Sequence, residues 1–380
     1  MAVTIKHIAV GGRYIDVAWG QSKSNTRYYS YWLKLLAGIN HQYAEVAARW
    51  TDGANFQPTD IQIRNGDRIQ RATVSESDRT VLVTWKDGTA HVFSTQRLWD
   101  EAFSADVIER VPRIRWDGKK EFKAFDCSKV LQSDDELFGF LHTFIQHGIA
   151  FLYEVPRAEE QIRLVASRLS TLQPSHLGDT FRVEARAVPS HLGETAQHIP
   201  LHMDLVFKQS PPDVQMLHVL DPAEVGGENI FVDSFRLISQ VPRNDIKLLR
   251  GTPIWFVAES DIVHFRGLHP ILEYDARGEF RGVRYNEHKM IFPVEASDEF
   301  YFALRRFGRL IRKPENVKEL NLRPNSIVLF DNLRVLHGRK EFYDHKRRLN
   351  GCFVCLDDLY CKYRLLARTR VYQSVGDSCR

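Results

Sequence analysis

The sequence predicts a mainly β protein with flanking helices (α+β): a sandwich or barrel of short strands behind a small, β-rich N-terminal domain. Three observations predict it. From about residue 200 onward, short apolar runs rich in β-branched residues are separated by turns, which is the pattern of a sandwich or barrel and not of βαβ units. Two segments with helical apolar spacing stand just ahead of that region. Residues 1–105 carry their own short strands and turn signals, and set a first domain apart from a second spanning 106–380.

In chain order, an aromatic-rich stretch from Tyr28 to Leu36 has helical character, and Thr80–Trp85 is a β-branched strand. Asp87-Gly88 supplies a turn, and His91–Phe93 returns as the partner strand. The charged stretch Glu101 to Lys123 connects the two domains. Ser133-Asp-Asp-Glu136 is a capping box, and Leu137, Phe140, Leu141, Phe144 and Ile145 recur at helical spacing until Gly148 ends the helix. Ile149–Tyr153 follows as a buried strand. Ile162, Val165, Leu169 and Leu172 mark one face of another helix. The later strands are Val214–Leu220, Asn229–Val232, Ser326–Phe330 and Gly351–Leu356, with a single helix over Asp298–Ile311 between them.

Composition narrows the function. The 380 residues are 43% hydrophobic and 26% charged with a formal charge of +4, ordinary for a globular chain with a real core. No Lys/Arg run is dense enough for a nucleic-acid stripe, so the expected partner is a small, preferably anionic molecule and not nucleic acid. No apolar run reaches the ~18 residues of a membrane span, so no membrane partner is expected. The N-terminus lacks a secretory signal, which points to a cytoplasmic protein and leaves mitochondrial import open. The cysteines, Cys127, Cys352, Cys355, Cys361 and Cys379, are expected to be reduced thiols. Cys352-x-x-Cys355 lies in a strand-like run without a second ligand pair, so it is read as core packing and not as a zinc site.

Three places carry chemistry. In His202-Met203-Asp204, an extended chain would turn an imidazole and a carboxylate to the same side. Asp331-Asn-Leu-Arg-Val-Leu-His337-Gly-Arg339 follows an apolar strand and offers a second imidazole. Arg347-Arg348-Leu349-Asn350-Gly351 leads into another strand. Two His and one carboxylate form the facial triad of non-haem Fe(II) oxygenases, which leaves coordination positions open for a co-substrate and O2. A dicarboxylic co-substrate needs a cation at its far end, and a planar Arg suits it. An isolated H-x-D is weak; its ordinary reading is a surface feature. Weight comes from the order of H-x-D, Gly226-Gly227-Glu-Asn229, D-N-x-R-x-x-H-G-R and then Arg before a strand.

Those residues resemble the γ-butyrobetaine and trimethyllysine dioxygenase family, within the taurine-dioxygenase-like superfamily. Residues from about 125 to 370 carry the resemblance, and Phe330–Lys340 is its most specific part. It implies a double-stranded β-helix, or jelly roll, behind a small N-terminal domain, and often a homodimer. It implies that His202, Asp204 and His337 bind iron. Arg347 would pair with the C5 carboxylate of 2-oxoglutarate, with its neighbour Arg348 as the alternative; alternate strand residues face opposite ways. Asn229 would lie near the co-substrate, or else serves the turn. The implied reaction consumes 2-oxoglutarate and O2, releases succinate and CO2, and oxidises an unactivated C–H bond by hydroxylation, desaturation or ring closure. Ascorbate would be a supporting reductant.

Two departures follow. Relatives hold a structural zinc through closely spaced Cys and a His, but Tyr31–His41 has no cysteine. No structural zinc is therefore expected, and His41 and His91 are read as surface residues. Relatives also surround a trimethylammonium with aromatic faces. The matching positions here are Leu177, Phe181, Glu194 and Phe353, and Asn286 matches a position that contacts the substrate carboxylate. Glu194 suits an ammonium that keeps N–H bonds, so a small amine-bearing acid or amino acid is the expected substrate. The alternatives are a hydroxylase of quaternary ammonium compounds with a rebuilt cage, a jelly-roll binding protein without catalysis, and a zinc hydrolase on the same ligands.

Overall fold

Period-two alternation builds the first unit. In β1 (Ile5–Val10), β2 (Tyr14–Trp19) and β3 (Asn25–Tyr29), an antiparallel meander, Ile15, Val17 and Trp19 are buried while Tyr14, Asp16 and Ala18 are half-buried. β4 (Ile69–Val74), β5 (Thr80–Trp85) and β6 (Ala90–Ser94) make a second meander, turned through Gly88 at φ +86. Val81, Val83 and Trp85 join Trp19 and Leu33 in one core, with Leu98 from the helix Thr95–Phe103. The stretch Tyr28–Leu36 is not one helix. Tyr29 pairs across from Tyr14 with the rings edge-on at 6.2 Å, so Tyr28 and Tyr29 finish β3 and the helix starts at Ser30. His91 is half-buried and not on the surface, because its Nδ1 accepts a hydrogen bond from Trp85 Nε1 at 2.9 Å.

These facts come from a computed structural model that describes every residue except 1–2, 21–24, 35, 38–67, 76–78, 104–106, 110, 186–191, 262, 345 and 377–380. His41 and Cys379 lie outside the described residues. The chain divides into two units, 1–106 and 107–380. Among the described residues no helix is long and apolar enough to cross a membrane.

The second unit opens with β7 (Ala124–Asp126) and the helix Cys127–Gln132, followed by the helix Asp134–His147. Ser133 caps the latter by accepting from Glu136 N, and Gly148 closes it at φ +71. β8 (Ile149–Tyr153) follows directly. The next helix, Gln161–Leu169, ends before Leu172, which bridges to Val354 instead.

From here the chain alternates between two sheets. β9 (Thr180–Glu184), β11 (Val214–Asp221), β19 (Ser326–Asp331) and β21 (Arg348–Val354) lie in one; β10 (Ile199–His202), β12 (Asn229–Asp233), β18 (Lys318–Leu320) and β20 (Val335–Arg339) lie in the other. The larger sheet runs β7-β8-β19-β11-β21-β9 and the smaller β10-β20-β12-β18. Successive strands in opposite antiparallel layers make a jelly roll. Between β12 and β18 stand β13 (Ile254–Glu259), β14 (His264–His269), β15 (Leu272–Tyr274), β16 (Phe280–Val283), β17 (Met290–Ile291) and the helix Asp298–Ile311.

β11 is buried on both faces, which explains its nearly unbroken apolar run. Leu217 and Val219 face inward with Phe231, Val328, Phe330, Val335 and Leu349 from both sheets. Val214 and Met216 face outward onto Phe140, Leu141, Ile162 and Val165 of the helices. The helix Leu356–Gly376 adds Leu359, Tyr363 and Leu366 to this outer core. Cys352 is buried there as core, and Cys355 is half-buried beyond the end of β21.

Candidate metal and co-substrate site

The site is assembled by the end of β10, the turn after it, and β20. His202 and His337 are cross-strand partners, with rings 4.3 Å apart. Asp204 does not lie in the extended chain that the H-x-D spacing implied. β10 stops at His202, and a turn with Leu205 at φ +51 swings the carboxylate back. His202 Nε2 lies 3.2 Å from Asp204 Oδ1, and His337 Nε2 lies 3.9 Å from Oδ2. One potential ligand atom from each of the three residues falls within 4.8 Å of the others, and among the described residues no other such group is present.

The electrostatics suit a cation. Burial pushes the Asp204 carboxyl up, but the His202 hydrogen bond, the charges of His337 and His202, and Gln215 outweigh it and hold it down at about 2. Burial and the neighbouring His202 push His337 down to about 3, so it is neutral at ordinary pH. An ionised carboxylate and a neutral imidazole are the ligating forms. Burial pulls His202 down, but the Asp204 hydrogen bond and charge more than reverse this and raise it. Its Nδ1 lies 2.8 Å from the Pro200 carbonyl, which fixes the ring with Nε2 turned to the site. The residues present therefore fit a divalent metal of the His/His/carboxylate type.

The string from Asp331 to Arg339 has a local reason at nearly every polar position. Asp331 Oδ1 accepts from the amides of Leu333 and Arg334, both at 3.0 Å, and makes the turn between β19 and β20. Asn332, fully buried, accepts from Asp204 N at 3.0 Å and donates to Asp204 O at 3.1 Å and Pro212 O at 2.9 Å. Arg334 forms a buried pair with Asp233 at 2.9 Å and donates to the Gln146 and Ile114 carbonyls. Gly338 lets β10 approach: a Cβ there would meet Ile199 O at 2.6 Å.

Arg347 and Arg348 go different ways. Arg348 pairs with Asp221 at 3.1 Å, half-exposed, where the neighbouring strands β21 and β11 meet at their ends. Arg347 is 5% exposed, and its Nη2 donates to Asn229 Oδ1 at 3.4 Å. Burial and the neighbouring Arg339 push the Arg347 guanidinium down to about 9, although Asp344 pulls the other way. A buried cation met by an amide oxygen suits a carboxylate ligand. Arg347 and Asn229 line a cavity of about 340 Å³ with Val219, Leu349 and the Gly226-Gly227 turn. Both glycines have positive φ, and a Cβ on Gly226 would meet Glu341 O at 2.4 Å.

Of the residues expected at the substrate, Phe181 and Phe353 pack together with ring centres 5.2 Å apart. Gly351 makes room for them, since a Cβ there would meet the Phe181 ring at 2.3 Å. Phe353 is cross-strand to Gln215, the residue whose amide supports Asp204. Glu194 is not a solvated loop residue; it is 5% exposed, in the turn Leu192–Glu194. Asn286 follows Tyr285, whose carbonyl accepts from Met203 N at 2.8 Å beside the turn that carries Asp204. Leu177 sits in the turn Ser175–Gly178 and is 37% exposed. Sequence reasoning missed Gln215, Asn332 and Arg339. Gln215 was visible as a lone amide in an apolar strand, and the other two stood within the string already singled out.

A jelly roll that gathers two imidazoles and a carboxylate at one end of a strand pair, with a buried arginine just ahead of β21, is the scaffold of a metal-dependent oxygenase. The chain belongs to the taurine catabolism dioxygenase TauD, TfdA family, whose model matches residues 115–353. It is 28% identical to the gamma-butyrobetaine dioxygenase of Pseudomonas sp. (strain AK-1), over 93% of this chain and 94% of that protein. It is 27% identical to the mitochondrial trimethyllysine dioxygenase of Homo sapiens, over 78% of this chain and 75% of the relative. Among solved structures, the PvcB protein from Pseudomonas aeruginosa superposes with a TM-score of 0.46 at 20% identity, covering 60% of this chain and 81% of that one.

Proposed function

We propose that this chain is an Fe(II)- and 2-oxoglutarate-dependent oxygenase in which His202, Asp204 and His337 hold the iron and Arg347, with Asn229, receives the distal carboxylate of 2-oxoglutarate. One observation carries the reading. The only close His/His/carboxylate group among the described residues shares its jelly roll with a buried arginine that no carboxylate neutralises at hydrogen-bond distance. Arg348 is left out because Asp221 already occupies it. Iron, when bound, couples oxidative decarboxylation of 2-oxoglutarate to oxidation of a substrate C–H bond. The chain's own residues bind, orient and exclude water. Pro200 sets the His202 ring, Asn332 and Gln215 hold Asp204, and Phe231, Phe330 and Leu217 form a dry interior.

The proposed substrate is a small acid or amino acid bearing an ammonium group, with Glu194 and Asn286 as its polar contacts and Phe181, Phe353 and Leu177 as apolar ones. The burial of Glu194 supports an N–H-bearing ammonium. A second reading, a quaternary ammonium substrate, is favoured by the activities in the names of the two curated relatives and by the paired rings of Phe181 and Phe353. A panel of amino acids, amino acids N-methylated to different degrees, γ-butyrobetaine and trimethyllysine, assayed for succinate release and oxygen uptake, separates the two. Turnover coupled only to quaternary compounds would remove the role given to Glu194. No succinate under any condition, with iron bound, would remove the oxygenase reading.

The finer expectations of a cytoplasmic homodimer with a zinc-free N-terminal domain belong to the same proposal. Light scattering and metal analysis of the purified chain test the dimer and the missing zinc.

A further inference from the structure

We propose that Arg339 is a positioning residue that couples the co-substrate arginine to the substrate-side segment Glu194–Gln197. The inference rests on the reading of Arg347 as the 2-oxoglutarate ligand and of Glu194 as a substrate contact. Arg339 ends β20 and is 3% exposed. Its guanidinium donates to the carbonyls of Thr195, at 2.8 Å, and of Gln197, and its Nε to Lys340 O at 3.3 Å. The carbonyl between them, Ala196 O, accepts from Phe342 N at 3.0 Å. Three consecutive carbonyls, immediately after Glu194 and just ahead of β10, are thus gripped, two by Arg339 at the end of the strand that carries His337 and one by Phe342 just beyond it.

The same grip reaches the co-substrate arginine. The Phe342 ring carries the Arg339 guanidinium at 4.6 Å from its centre and that of Arg347 at 5.8 Å. Arg339 is also the cross-strand partner of both Ile199 in β10 and Asn229 in β12, and Asn229 accepts from Arg347. Carbonyl acceptors satisfy donors but do not neutralise charge. Two buried guanidiniums on one ring therefore repel each other until an anion arrives. A carboxylate on Arg347 compensates both, relaxing the strain on the contacts between Arg339 and the 195–197 carbonyls. Co-substrate occupancy then firms the segment that presents Glu194, and the energetic link runs equally in the other direction.

A single nitrogen, Nη2, reaches both carbonyls while Nε holds Lys340 O and the planar group lies against the Phe342 ring; a lysine side chain is shorter and ends in a single point charge, so it cannot make these contacts together. The test compares wild type with Arg339→Lys, both loaded with Mn(II) and kept anaerobic so that nothing turns over. Amide exchange across 194–198 is followed with and without 2-oxoglutarate, and 2-oxoglutarate binding is measured by calorimetry. In wild type, 2-oxoglutarate should slow exchange there by about fivefold or more. In the variant, that ligand-dependent slowing should vanish, while affinity falls by far less than on loss of Arg347. A purely structural arginine would change exchange equally with and without ligand. Two outcomes would overturn the coupling: wild-type exchange at 194–198 indifferent to 2-oxoglutarate, or slowing that persists in Arg339→Lys. The wild-type comparison stands even if the variant does not fold. Unaltered 2-oxoglutarate binding by Arg347→Leu would instead remove the co-substrate reading beneath it.

Discussion

With His202, Asp204 and His337 holding the metal as proposed, replacing Asn332 with Ala should weaken metal binding by about 10- to 100-fold, although its hydrogen bonds go to the Asp204 backbone and not to the carboxylate. Its amide makes three hydrogen bonds, to Asp204 N, Asp204 O and Pro212 O, at 3.0, 3.1 and 2.9 Å. All are lost in the variant, at a fully buried position where water does not substitute easily. At roughly 1 kcal/mol per neutral hydrogen bond, stability should fall by about 3 kcal/mol. For a unit of this size, that corresponds to a drop in melting temperature of about 6–12 °C. The larger consequence is local. Leu205 sits at φ +51, a conformation that costs a branched residue about 1–3 kcal/mol and persists only while its surroundings impose it. Without the Asn332 clamp, the turn relaxes and the Asp204 carboxylate loses its fixed place opposite the two imidazoles. Calorimetric titration with Mn(II), well below the melting transition, reads this directly. A variant that melts early yet binds Mn(II) within about threefold of wild type would refute the reasoning, because stability alone would then account for Asn332.

The other predictions are briefer. Arg347→Leu should cut 2-oxoglutarate affinity by about 100-fold, from the loss of charge-assisted hydrogen bonds, while raising the melting temperature of the ligand-free protein by removing a buried cation with no carboxylate at hydrogen-bond distance; Arg348→Leu, at the half-exposed pair with Asp221, should shift either quantity little, and calorimetry with thermal melts checks both. Arg334→Met strands Asp233 in the core, where both partners are essentially inaccessible, and should cost about 3–5 kcal/mol in denaturant titration. His218 is fully buried, its ring nitrogens lack partners, and burial pushes it down to about 4. The unfolded chain, with an ordinary histidine near 6.5, therefore takes up the proton first, so stability present above pH ~6.5 should be lost as pH falls toward 4, by about 3 kcal/mol in all. His218→Leu should flatten that part of the stability-versus-pH curve; an unchanged curve would show that His218 is not responsible.

Much of the frame was legible because local chemistry and global fold agreed. Ser133 and Gly148 bracket their helix as the capping box and glycine predicted, and Thr80–Trp85 and Asp298–Ile311 form their elements with the expected bounds. The misreadings have physical causes. Tyr28 and Tyr29 looked helical beside Leu33 and Leu36, but a cross-strand ring pair holds Tyr29 in β3. Leu172 matched a helical stripe, yet it bridges to Val354 after the helix has ended. His202 and Asp204 were paired on strand alternation, whereas the carboxylate reaches the site through a turn whose strain sequence spacing does not reveal.

The harder limit concerns what supports the site. A string of residue types can nominate ligands, because metal chemistry restricts them to few side chains. It cannot nominate the groups that orient those ligands, since a buried Asn or Arg looks the same in sequence as a surface one. Arg339 and Arg348 are both arginines at the ends of site-bearing strands, and nothing local separates them. The fold does: Arg348 meets a carboxylate at a half-exposed strand end, and Arg339 is enclosed with carbonyls as its hydrogen-bond acceptors. Burying a cation without a counter-charge is unfavourable. A chain that buries two guanidiniums around one phenylalanine ring, with no carboxylate at hydrogen-bond distance and Asp344 acting on Arg347 only from further off, gives up stability there, and an anionic co-substrate is the partner that would restore it.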